Sequence, residues 1–134
     1  MSLKRFGVSL EQELLDDLDR IVENQRFPNR SRALRFLINE HKTRQSIASN
    51  QEVTGAIVLV YDHRITRLHS EIAQLQHEYN CMVLSSQHIH LDEKNCIETV
   101  AVRGTFEKVN KLSNKLMAIK GIRHGNLVVS SIEK

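Results

Sequence analysis

Val83-Leu84-Ser85-Ser86-Gln87-His88-Ile89-His90-Leu91-Asp92-Glu93-Lys94-Asn95-Cys96-Ile97-Glu98-Thr99-Val100-Ala101-Val102 decides how this chain folds. Extended, residues 83–91 send successive side chains to opposite faces, so His88 and His90 share one face. Asp92–Asn95 is polar and hairpin-like, and Cys96–Val102 alternates like a return strand. A hairpin across that turn brings Cys96 opposite the two imidazoles. Two neutral imidazoles and a thiolate meeting at one point suit a borderline-soft metal. The plainer alternative is two solvent-facing strand histidines beside a half-buried thiol.

Further segments extend this hairpin on both sides. Thr54–Tyr61 reads as an apolar strand, and Ile65, Leu68, Ile72, Leu75 and Tyr79 give a helical stripe. Met82–Leu91 and Cys96–Arg103 are the hairpin strands, and Val109, Leu112, Leu116 and Ile119 mark another helix. Gly121 stops that helix, and Gly125–Ser131 supplies a last strand. The order βαββαβ is the ferredoxin-like (ACT-type) split motif, an antiparallel sheet with helices on one face.

The N-terminal third is organised differently. Lys4–Ser9 reads as a short strand, with Phe6 and Val8 on one face. Leu14, Leu15, Leu18, Ile21 and Val22 recur at helical spacing behind a cap at or near Ser9. Pro28 breaks this pattern, and Asn29 is placed to cap a second helix striped by Ala33, Leu34, Leu37 and Ile38, with His41 a further candidate. Strand, helix and helix in so short a segment bury too little to stand alone, and a lone strand leaves its backbone unpaired. Pairing two chains across a two-fold axis cures both deficits. The expected division is a βαα unit over residues 1–45, a polar linker over 46–52 and the βαββαβ domain over 53–134, an α+β protein.

Composition narrows the function classes. The net charge is only +3 and apolar residues make up 40%. Charge is nevertheless segregated: Glu11–Glu23 holds six acids against Arg20, and Arg26–Arg44 holds six bases against Glu40. Such polarity orients a small domain toward a polyanion. No apolar run approaches the roughly 18 residues that span a bilayer. Met1–Arg5 lacks the apolar segment of a secretion signal. Two cysteines, Cys81 and Cys96, make no disulfide scaffold. A cytoplasmic protein with reduced thiols and no membrane association is expected.

Arg5-Phe6-Gly7-Val8-Ser9-Leu10 and Asn29-Arg30-Ser31 resemble the ribbon-helix-helix DNA-binding repressors. Joined to a βαββαβ domain bearing His-x-His-x5-Cys, the chain resembles the nickel-responsive ribbon-helix-helix repressors (NikR-like). Tyr61-Asp62-His63, Gln76-His77 and Gly121-Ile122-Arg123-His124-Gly125 extend the likeness over nearly the whole chain. The resemblance implies one Ni(II) per subunit in a square plane, held by His88, His90 and Cys96 of one subunit and His77 from a neighbour. It further implies a hydrogen-bonding network of Tyr61, Gln76 and Glu98 around these ligands. Cys81, His63, His69 and His124 match no ligand and are assigned structural or surface roles.

The same resemblance implies a homotetramer, a dimer of N-terminal dimers, whose paired strands read double-stranded operator DNA and repress nickel-uptake genes. Arg5 and Ser9 then face bases, Gly7 offers no reader, and Lys4, Asn29, Arg30 and Ser31 lie at the phosphate backbone. One departure stands out. Two acids of the second helix that often join an interdomain cation site in this family are Arg32 and Phe36 here. Two other readings stay open: an amino-acid-responsive ACT-like regulator, and an enzyme using Cys96 as nucleophile with His88 or His90 as base.

Overall fold

Helices α1 (Gln12–Asn24) and α2 (Arg30–Ala48) precede β1 (Glu52–Asp62), α3 (Thr66–Glu78), β2 (Val83–His90), β3 (Asn95–Thr105), α4 (Phe106–Met117) and β4 (Ile122–Ser131). This is a computed structural model describing residues 2–132. The chain divides between Glu40 and His41 into two units.

In the second unit the four strands are antiparallel in the order β2-β3-β1-β4. The alternation read from the sequence sets the register. Tyr61 pairs with Cys96, Ile57 with Val100, His88 with Glu98 and His90 with Cys96. One sheet face therefore carries Val53, Ile57, Leu59 and Tyr61 of β1 and Cys96, Val100 and Val102 of β3. They pack with Leu68 and Ile72 of α3 and Val109, Leu112 and Leu116 of α4 in one core. On the other face Ile89 and Val128 are 46% and 63% exposed. Gly121 has φ +108 in the turn between α4 and β4, a conformation only glycine adopts without strain.

The hairpin turn is built by Asp92. Its Oδ1 accepts the backbone N–H groups of Lys94 and Asn95 at 2.8 and 2.6 Å, and Leu91 N donates to Asn95 O at 2.8 Å. These bonds to the charged form hold Asp92 down to about 2, the backbone bond from Asn95 contributing most.

Two expectations change. Residues 46–52 are not a free linker, because α2 continues to Ala48. Its last turns are anchored: Thr43 Oγ1 accepts from Ser131 N at 3.0 Å, and Ser46 is buried. Asn50, at φ +53, accepts the Glu107 N–H at 2.7 Å through Oδ1. It thus caps α4, whose own N-cap Thr105 makes no side-chain cap bond. The second change is in the first unit, where residues 2–11 form no strand. A ribbon is defined by a ladder to a partner strand, and one chain offers this segment none. The cap of α1 falls near Ser9 as expected, at Glu11, and makes no side-chain bond. Asn29 does cap α2, Oδ1 accepting from Arg32 N at 2.9 Å.

The first unit buries little. Among its described residues Leu18 and Ala33 are the buried apolar ones, whereas Phe6, Val8, Leu14 and Ile38 are 79%, 56%, 50% and 61% exposed. Arg30 bridges the acidic and basic helices through bonds of 2.8 and 3.0 Å to the Asp19 carboxylate. Phe36, one of the two positions where the chain departs from the resemblance, has its ring centre 5.4 Å from that of Phe27.

Candidate metal centre

Glu98 organises the turn end of the β2–β3 hairpin. It points from β3 toward α3 and is 6% exposed. Its carboxylate accepts the Tyr61 hydroxyl at 2.7 Å, Gln76 Nε2 at 2.5 Å and the Ser86 hydroxyl at 3.1 Å. Three donors from three elements satisfy a carboxylate that would otherwise be too costly to bury. The Tyr61–Gln76–Glu98 network thus exists as hydrogen bonds within one chain. His88 Nδ1 lies 3.7 Å from Glu98 Oε1, beyond hydrogen-bond range, so Glu98 faces this imidazole without gripping it. Burial, then the Glu98 carboxylate, pushes the Tyr61 hydroxyl far up, so it stays a donor.

His88 and His90 sit on the helix-side face of β2, their ring centres 5.0 Å apart. Cys96 is across the ladder from His90 and fully buried. Burial pushes its thiol up, against a lowering hydrogen bond with Tyr61. His90 is shifted down, first by loss of water around the ring and then by His63, His88 and His69. A depressed imidazole is neutral over more of the pH range, the form that ligates metal.

The donor set has the right chemistry, but it is not closed. Among the described residues no three His, Cys, Asp or Glu side chains group closely enough to hold an ion. His88 and His90 are instead each stacked on another histidine, His69 and His63. His77 is exposed in the last turn of α3. Cys81 is exposed and His124 lies on β4, paired with Val60. His63 and His69, read from the sequence as structural or surface residues, in fact pack against the candidate ligands. Only their nearness to the Tyr61 strand end and to the α3 stripe hinted at it. Lys4, Arg5, Gly7 and Ser9 are exposed, as are Asn29, Arg30 and Ser31 at the start of α2.

Fold and donor set together define a class: a ferredoxin-like domain with an imidazole–thiol hairpin, preceded by a small helical unit rich in surface charge. Residues 54–130 match the family described as the NikR C terminal nickel binding domain. A protein of Syntrophus aciditrophicus, named "putative nickel-responsive regulator", is 45% identical over 128 residues, covering 96% of this chain and 93% of that protein. Proteins of the same name from Dictyoglomus thermophilum and Pyrococcus furiosus are 41% and 40% identical, each sharing at least 96% of both chains. The chain belongs to this family of nickel-responsive regulators. Among solved structures, the uncharacterized protein TM1266 from Thermotoga maritima superposes with a TM-score of 0.53 at 19% identity. It covers 59% of this chain and 98% of that one, a likeness of fold alone.

Proposed function

We propose that this protein is a nickel-responsive, DNA-binding transcriptional regulator of the bacterial or archaeal cytoplasm that represses nickel uptake, and not an enzyme. The observation that carries the reading is the hairpin register, which sets His90 beside Cys96 and His88 beside Glu98 in a chain of this family. His88, His90 and Cys96 would hold Ni(II) with His77 of a neighbouring subunit, one ion per chain. Three nitrogens and a thiolate suit a planar Ni(II) centre better than tetrahedral zinc. When bound, the ion supplies a cross-link between subunits. Around it Tyr61, Gln76 and Ser86 fix the Glu98 carboxylate, and with it the setting of His88.

Two surfaces support the assembly. The exposed Phe6, Val8, Leu14 and Ile38 are apolar area that a second copy would cover, pairing residues 4–9 into a ribbon. The open sheet face with Ile89 and Val128 supports joining such dimers into a tetramer. Arg5 and Ser9 would then enter the major groove, with Lys4, Asn29, Arg30 and Ser31 at phosphates. Arg30 would have to exchange its Asp19 carboxylate for phosphate, so this contact is the weaker one. A subunit arrangement that holds metal better and binds DNA better links the two ligands reciprocally.

The nucleophile reading fares worse. Reactive cysteines are low-pKa and partly exposed, whereas Cys96 is buried and shifted up. The test is selection from a pool of random DNA duplexes with and without Ni(II). A sequence enriched only with nickel, and lost by Arg5→Ala at a cost of about 1–3 kcal/mol, supports the reading. No enrichment, or equal enrichment without metal, refutes it.

A further inference from the structure

Two histidines outside the candidate ligand set lie flat against it. The His63 ring is 4.0 Å from His90 with planes at 7°, and the His69 ring is 5.1 Å from His88 with planes at 9°. Each outer ring is tethered at its far edge. His63 Nε2 donates to the Asp92 carbonyl at 3.1 Å, and His69 Nε2 donates to the His63 carbonyl at 3.0 Å. A carbonyl oxygen only accepts, so both Nε2 atoms carry the proton and both tautomers are set. His63 N also donates to Lys94 O at 3.0 Å, tying the loop after β1 to the hairpin turn at a second point. Tyr61 closes the group, its ring edge-on to His69 at 5.8 Å and to His88 at 6.0 Å.

Face-to-face packing restrains rotation of a ring about its Cβ–Cγ bond, because turning out of the stack forfeits the overlap. It leaves the lone pairs free, since these lie in the ring plane and not on its face. A metal binds imidazole along that in-plane direction. A stacked neighbour can therefore fix a ligand's orientation without competing for the ion. We propose that His63 and His69 are positioning residues, an outer imidazole layer that holds the ring planes of His90 and His88 before Ni(II) binds. This rests on the assignment of His88 and His90 as ligands.

The test uses the full chain with His63 and His69 each replaced by Ala and by Phe. The readouts are Ni(II) affinity by chelator competition, the Ni(II) absorption spectrum, and melting of the metal-free protein. Each Ala variant should lose about 10–100-fold in affinity, as removal of a group that orients a ligand does, with the thiolate band retained but moved. Phe keeps a flat face without a nitrogen, so His69→Phe should stay within about threefold of the parent. Unchanged affinity in both Ala variants overturns the proposal, even where melting falls. So does a His69→Phe variant as weak as His69→Ala, which would make the nitrogen and not the plane the active element. If an Ala variant does not fold, the Phe variant decides alone by the same threefold criterion. Failure of the ligand assignment is read separately: His88→Ala and His90→Ala would then leave affinity intact.

Discussion

Glu98→Ala offers a perturbation whose size can be worked out from its neighbours. The substitution strands three donors, but unequally. Tyr61 is fully buried, so its hydroxyl finds no water and costs about 1–3 kcal/mol. Gln76 is half-buried and Ser86 exposed, so both turn to solvent at little cost. Lost packing adds about 1–2 kcal/mol, and relief of a desolvated charge returns part of it. The expected loss is about 2–4 kcal/mol for the metal-free protein. Tyr61→Phe alone should cost about 1–2 kcal/mol, since Gln76 and Ser86 still serve the carboxylate. Combined, the two should cost less than their sum by about 1–2 kcal/mol, because the pair shares one bond. Urea unfolding at matched protein concentration measures all three variants. Additivity to within about 0.5 kcal/mol would show that the bond is not a shared term, and the reasoning would fail.

Cys96→Ala should abolish the thiolate-to-nickel absorption band while Cys81→Ala leaves it, and the reverse pattern would refute the hairpin alignment. Nickel affinity should rise with pH across the neutral range, by up to about tenfold per unit for one released proton. The sign follows from Cys96, whose raised pKa means the free protein keeps a thiol proton that ligation must expel. His90, shifted down, is already neutral there and adds its loss only in more acid solution. A flat profile from about pH 6.5 to 8, in titrations monitored by proton release, would count against this. Asn50→Ala should destabilise by about 1–3 kcal/mol in thermal melts, losing the α4 cap and placing alanine at positive φ. Asn50→Gly should lose only the cap and cost less; equal losses would refute the backbone part of the argument.

The sheet was legible because its information is local. An apolar run at Thr54–Tyr61, alternation over Cys96–Val102 and a polar turn at Asp92–Asn95 give the strands and the hairpin register without knowledge of neighbours. The extension of α2 to Ala48 was not legible. Gln45–Ala48 has no apolar stripe, and what anchors its helix is polar: Thr43 bonds Ser131 at the end of β4, and Ser46 is buried. The expected strand at Lys4–Ser9 had the right alternation, but a strand also needs a partner. In the candidate site, spacing brought His88 and His90 together and the resemblance supplied the Tyr61–Gln76–Glu98 network. The stacking of His63 and His69 depends on where the loop after β1 meets the hairpin turn. No periodicity encodes that meeting.

Within a single chain the candidate donors do not close around a point. Completed by His77 of a neighbouring subunit, as proposed above, such a centre would obey the law of mass action twice, once for the ion and once for the neighbouring polypeptide. Dilution would then strip nickel from the protein even at fixed free nickel, and an affinity measured at nanomolar protein would include the cost of assembly. In a cell, the abundance of the regulator would set its detection threshold along with the chemistry of its ligands, so that making more protein lowers the nickel concentration at which it responds.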